Sequence, residues 1–208
     1  MEKITQYIVH RYNHQASWLK DYTSSPIIFD SSASPLKGSI KVDNIGSDIN
    51  WKLKFIIDNY SNLPDVAILI KCNLFDYIKP REFEKIKDNK TFTPILSQEH
   101  HTYMPVCYYK DGMYYEINNF WYLTAHPPKN EQAVEELSDL LGLRSLKYVP
   151  FAPGSNYLLP KANILKHPKS LYEKLRSYLD WTVYPGECQI IERGLYLLWN
   201  IPQFPHQN

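Results

Sequence analysis

Three polar clusters each close a run of strand-forming residues, and they contain the residue types that hold an anion. His10-Arg11-Tyr12-Asn13 follows Tyr7-Ile8-Val9, and Asp30 follows Pro26-Ile27-Ile28-Phe29. Lys71-Cys72-Asn73-Leu74-Phe75-Asp76 follows the apolar run Val66-Ala67-Ile68-Leu69-Ile70. In an open α/β sheet ligands bind beyond the carboxyl ends of the strands, so these clusters mark the expected mouth of a site. Arg11 and Lys71 carry the charge to neutralise a diphosphate through charge-assisted hydrogen bonds, with Asn13 and Asn73 beside them. Tyr12 offers a ring to stack on a base. Asp76 offers a hard oxygen to a divalent cation that bridges phosphates. Each also has a structural reading: Arg11 paired with Asp30, Lys71 on the surface, and Asp76 capping the helix that Pro80-Arg81-Glu82-Phe83 begins.

A second concentration lies further on. Ala152-Pro153-Gly154-Ser155-Asn156 is a turn, Tyr157-Leu158-Leu159 a short apolar strand, and Tyr184-Pro185-Gly186-Glu187 brings a carboxylate to the mouth of a helix. Glu187 and Glu192 are five residues apart, about 140° around a helix at about 100° per residue, so only one can face a given cleft. Glu187 follows Pro185-Gly186, where a carboxylate can face open space, and is the candidate general base. The helix dipole favours its ionised form, so base catalysis would need the apolar neighbours Trp181 and Tyr184 to restore basicity. A plain helix-terminal charge is the alternative. Glu192 precedes Arg193 in mid-helix and reads as half of a structural ion pair.

Other chemistries find little support. His100 and His101 are adjacent, and neighbours on an extended chain point to opposite faces, which disfavours joint ligation of one metal. There is no Walker pattern, no G-x-G-x-x-G and no G-x-S-x-G elbow. Cys72, Cys107 and Cys188 form no zinc or redox spacing, as expected of a reduced, cytoplasmic chain. Lys plus Arg number 23 against 22 for Asp plus Glu, which gives no long-range pull toward nucleic acid. The N-terminus lacks the apolar run of a signal peptide, and no segment approaches the roughly 20 apolar residues of a membrane span. The 17 Tyr and 5 Trp can stack on sugars or bases, or can reflect a tyrosine-rich core and surface.

These residues need a scaffold. Leu53, Ile56, Ile57 and Tyr60 recur at helical spacing, with Ser47 or Asp48 as N-cap, between the second strand and the buried run from Val66 to Ile70. Strand, strand, helix, buried strand is the start of an α/β sheet. Thr93-Pro94-Ile95-Leu96 reads as a further strand, and Asp111-Gly112 marks a hairpin between Val106-Cys107-Tyr108-Tyr109 and Met113-Tyr114-Tyr115-Glu116-Ile117. Asn130 caps a helix that Gly142 stops, Pro168 opens another, and the last helix runs from about Glu187 to Trp199. With 44% apolar residues, the 208 residues are expected to form one α/β domain, a mixed central sheet flanked by helices with a β-hairpin projecting from it.

The chain resembles the small GT-A glycosyltransferases, among them the N-terminal domain of a chlorella-virus capsid glycosylation protein, and a related fungal and bacterial domain of unknown function. The resemblance rests on Val9 to Asn13 with Ser17-Trp18-Leu19, Asn44-Ile45-Gly46, Asp58-Asn59-Tyr60 through Leu63-Pro64-Asp65, Lys71 to Asp76, Ala152 to Ile164 and Pro185 to Arg193. It implies a GT-A-like nucleotide-sugar-binding domain, a divalent metal, usually manganese, and transfer of a hexose such as rhamnose onto a glycan. On that basis the donor is expected to be UDP-linked, the acceptor a saccharide or glycoprotein, and the outcome inversion. Arg11, Tyr12, Asn13, Lys71, Asn73 and Gly154 would hold the donor, Asp76 and a late histidine, His206, the metal, and Glu187 would take the proton. Two departures stand out: Asn73-Leu74-Phe75-Asp76 offers one carboxylate where an Asp-x-Asp pair is usual, and Cys72 replaces a usual glycine. A non-catalytic carbohydrate- or nucleotide-binding module is the alternative.

Overall fold

The computed structural model describes residues 4–97 and 106–200. Strand β1 (Thr5–Arg11) leads through a short 3-10 turn to β2 (Ile27–Asp30) and β3 (Ile40–Lys41). Helix α1 (Ser47–Asp58) then crosses to β4 (Val66–Lys71), followed by α2 (Pro80–Ile86) and β5 (Thr93–Pro94). After these come β6 (Cys107–Lys110), β7 (Met113–Ile117), α3 (Glu131–Leu140), β8 (Tyr148–Phe151) and β9 (Tyr157–Pro160). Helices α4 (Lys161–Ile164), α5 (Lys169–Ser177) and α6 (Gly186–Asn200) complete the described chain.

The main sheet is mixed, in the order β3-β2-β1-β4-β9-β5. Strands β1, β2, β3 and β4 run parallel, and β9 runs antiparallel to both β4 and β5. The period of two along each strand divides the core. Ile8, Ala67, Leu69, Tyr157 and Leu159 share a cluster with Phe55 of α1, Leu175 of α5 and Leu198 of α6. Tyr7, Val9, Val66, Ile68, Ile70 and Leu158 share another with Leu19 and with Phe83 of α2. The sheet is thus flanked by helices on both faces, and β4, buried from Val66 to Ile70, is its centre.

The hairpin forms where Asp111-Gly112 signals it, with both residues at positive φ (50° and 79°), the backbone of a two-residue turn matched to strand twist. Contrary to the expectation from the sequence, it does not project from the central sheet. It pairs with β8 in a separate sheet ordered β6-β7-β8, because Tyr114 to Ile117 find partners in Phe151 to Tyr148. The expected cap of α1 also differs. Gly46 is the cap, at φ 70°, and a Cβ there would lie 2.7 Å from Leu179 O, so that helix starts in a backbone conformation and a space suited to glycine.

Candidate functional site

The order 3-2-1-4 in the parallel part of the sheet means that the chain leaves β1 toward β2 on one side and returns through α1 to β4 on the other. The strands themselves stay paired to His10 and Lys71, but their connections diverge between β1 and β4, the place where doubly wound sheets bind ligands. A cavity of about 130 Å³ lies there, lined by His10 and Tyr12 from the end of β1, Lys71 and Asn73 from the end of β4, and Ser47 and Asp48 from the start of α1. His14, Tyr77 and Tyr184 complete its wall.

Asp48 organises the floor. Its carboxylate accepts from Lys52 Nζ at 2.6 Å, Ser155 Oγ at 2.5 Å and Ser47 Oγ at 3.0 Å, and Lys71 Nζ stands 3.3 Å away. Burial alone would raise this carboxyl's pKa, but the Lys52 and Lys71 charges outweigh burial and hold it below the usual carboxylate range. Lys52 is fully enclosed, and burial pushes it down to about 8 despite Asp48. It donates to Ser155 O at 2.7 Å, tying α1 to the turn between β8 and β9. Burial also acts to lower Lys71, yet the charges of Asp48 and Glu192 prevail and raise it. Lys71 stays about a quarter exposed, with its ammonium 5.6 Å from the Tyr77 ring centre. It is a cation oriented from behind and open toward the cavity. His10 beside it is pushed down to about 4 by burial, so its imidazole is neutral at pH 7, with Nε2 3.0 Å from Ser31 Oγ.

The turn after β8 meets this cluster. Gly154 sits at φ 82°, and a Cβ on it would lie 2.6 Å from Tyr77 Cε1. Its N–H donates to Glu192 Oε1 at 2.7 Å, so the carboxylate in mid-α6 reaches the strand ends.

The structure brings together Tyr12, Lys71 and Asn73 at the cavity, with Gly154 behind Tyr77. Asn13 takes a left-handed turn at φ 57° and is exposed next to Tyr12. Other expectations need correction. Arg11 does not face the cavity: Nη1 donates to both oxygens of the buried Asp30 at 2.8 and 3.0 Å and to Ser32 Oγ, while Nε donates to His14 O. A buried carboxylate keeps its guanidinium, which is the structural reading of the pair. Glu187 does not face open space. It is fully buried, and Oε1 accepts the Lys129 N–H at 2.8 Å because the chain before α3 folds over the start of α6. Nor is Glu192 the main partner of Arg193. The nearest oxygen is 3.9 Å away, and Arg193 instead binds the buried Glu116 at 2.6 Å and lies against the Tyr122 ring.

The manganese expectation finds no ligand set here. Asp76 is exposed, and its Oδ2 accepts the side-chain amide of Asn73 at 2.8 Å. Among the described residues no group of three or more His, Cys, Asp and Glu side chains can hold a metal ion. His206 lies outside the described residues, as do His100 and His101. Cys72 does not crowd the cavity, because its thiol belongs to the core cluster under Leu19 and Leu74, 3.4 Å from Gln15 O.

Sequence reasoning missed Asp48 as the hub, and Lys52 and Ser155 with it. The signal was an i,i+4 Asp-Lys pair set among Ile49, Trp51, Leu53 and Phe55, where charges on a buried helix face have to be paired. Among the described residues no helix is long and apolar enough to cross a membrane. No family model matches the chain, and no curated protein or solved structure matches it either.

Proposed function

We propose that the protein is a glycosyltransferase of the GT-A type, using a nucleotide-activated sugar, with UDP as the nucleotide and a saccharide acceptor. The observation that carries this reading is Lys71: an ammonium positioned by Asp48 at the carboxyl ends of β1 and β4, where the connections diverge, and open to a cavity in a mixed α/β sheet. Ligands with phosphate groups bind at such points because strand ends and helix starts converge there. At about 130 Å³ the cavity is smaller than the roughly 300–1,000 Å³ of sites that enclose a whole small ligand, so it suits the charged middle of a donor. The base and sugar then lie along the rim by the exposed rings of Tyr12 and Tyr184.

In this account the acceptor oxygen attacks the anomeric carbon opposite the diphosphate. The bond from that carbon to the phosphate oxygen breaks, its electron pair leaves with the diphosphate, and Lys71 stabilises the charge that develops. Glu192, whose charge acts on both Lys71 and Tyr77, takes the proton in place of Glu187. No step is routed through a metal.

A non-catalytic nucleotide-binding module is the second reading, favoured by how fully the charges of Asp48 and Lys52 are already paired. A thermal-shift screen of UDP and UDP-sugars, each with manganese and with chelator, tests binding. A ligand at 100 times its Kd adds roughly 2.7 kcal/mol of stability. Release of UDP from a bound UDP-sugar separates a transferase, which hydrolyses some donor slowly, from a binding module, which does not. The absence of any shift with the whole set overturns both.

A further inference from the structure

Glu187 carries an observation that the proposed reaction does not use. While Oε1 accepts the Lys129 N–H at 2.8 Å, Oε2 is buried and has no hydrogen-bond partner among the described residues. An unmade bond at a buried carboxylate oxygen is costly, about 1–3 kcal/mol or more for a charged group, so a donor supplied by solvent or a ligand would stabilise this position. Glu187 lines a cavity of about 360 Å³ with Lys129 and Gln132 near the start of α3, with Ser177 at the end of α5, and with Tyr178 and Trp181 after it. Glu136, the other carboxylate there, is already satisfied by Gln132 and by the Tyr178 hydroxyl. The indole of Trp181 is 39% exposed on the same cavity.

We propose that this cavity is a saccharide subsite, in which a neutral hexopyranose lies against the Trp181 indole and donates a hydroxyl to Glu187 Oε2. An apolar ring face beside one free acceptor matches a pyranose, which has an apolar C–H face and hydroxyl donors at its edge. The volume is enough for a sugar unit and exceeds that of the cavity at the strand ends. A short segment links the two: Trp181 lines this cavity and Tyr184 the other, and Thr182 O and Val183 O accept the N–H groups of Gly46 and Ser47 at the start of α1. The assignment stands whether or not the strand-end cavity transfers sugar, because it is read from binding alone.

The test is NMR titration of the full chain with methyl glycosides of glucose, galactose and mannose, with methylammonium as a cationic probe. The readouts are the Trp181 indole N–H signal in the wild type and Glu187→Gln, assigned from Trp181→Phe, and the Lys129 backbone N–H signal, which lies in the same cavity and is retained in Trp181→Ala. A saturable shift by at least one sugar is expected, with affinity reduced about tenfold or more in Trp181→Ala and in Glu187→Gln. Trp181 is exposed, so its substitution keeps the test valid if Glu187→Gln does not fold. Three outcomes overturn the proposal: no shift with any sugar, a sugar affinity unchanged in Trp181→Ala, or a shift with methylammonium alone.

Discussion

Gly154 and Glu192 are joined by a hydrogen bond of 2.7 Å from the glycine N–H to Oε1, which fastens the turn after β8 to the middle of α6 beside the strand-end cavity. Gly154 can occupy this place only without a side chain, because its φ is 82° and Tyr77 fills the space where a Cβ would lie. The carboxylate is therefore oriented by backbone rather than by a mobile partner.

Glu192→Gln keeps the acceptor for Gly154 but not the basicity, so transfer should fall about 10²–10⁴-fold with UDP affinity retained. Glu187→Gln should leave release of UDP from the donor in the absence of acceptor close to wild type, since the substituted amide keeps an oxygen that can accept the Lys129 N–H. Initial rates of UDP release and nucleotide titrations of both variants check this. The opposite pattern returns the base to Glu187.

Gly154→Ala should cost about 1–3 kcal/mol through its strained backbone, with further loss from the Tyr77 contact. Chemical denaturation measures this. Wild-type stability would mean that the turn can relax and that Tyr77 is not fixed by it.

Arg11→Ala should destabilise by about 3 kcal/mol, the lower end of the cost of breaking a buried pair, since Ser32 and Leu36 still donate to Asp30. UDP affinity of the folded fraction should stay near wild type. A large loss of affinity at unchanged stability would put Arg11 back on the phosphates.

Stability should fall as the pH drops from about 6.5 toward 4, in part through His10. Burial depresses its pKa in the fold, with Lys52 and Lys71 adding to this and Asp48 and Asp30 opposing it. Between the folded and unfolded values the unfolded chain binds the extra proton, so the contribution is complete above 6.5 and is lost as pH falls, by up to about 1.4 kcal/mol per pH unit. Replacing His10 with Gln should flatten that part of the denaturation profile. An unchanged slope would assign it elsewhere.

Much of the scaffold was legible because local pattern and global fold agree. The apolar run of β4, the Asp111-Gly112 turn and the Asn130 cap, whose side chain accepts the Ala133 N–H, all behave as their residue types demand. The placement of Lys71 and Tyr12 at one cavity was legible for the same reason, since strand ends in such sheets open onto one crevice. What was not legible depends on long-range packing. The pairing of β7 with β8 draws the hairpin into its own sheet, the fold of Lys129 over α6 encloses Glu187, and Glu116, 77 residues before Arg193, takes the guanidinium that adjacency assigned to Glu192. Nothing local in the sequence marks those partners.

The central claim is that Lys71 holds the diphosphate of a nucleotide at the carboxyl ends of β1 and β4. Calorimetric titration of UDP into the wild type and into Lys71→Met tests it most directly, because methionine keeps most of the aliphatic stem while removing the charge, and Lys52 still pairs with Asp48. The account predicts measurable UDP binding by the wild type and a loss of about tenfold or more in the variant at preserved fold, as expected when a charge-assisted contact is removed. Equal affinity in the two proteins, or no binding of UDP by the wild type, would contradict it.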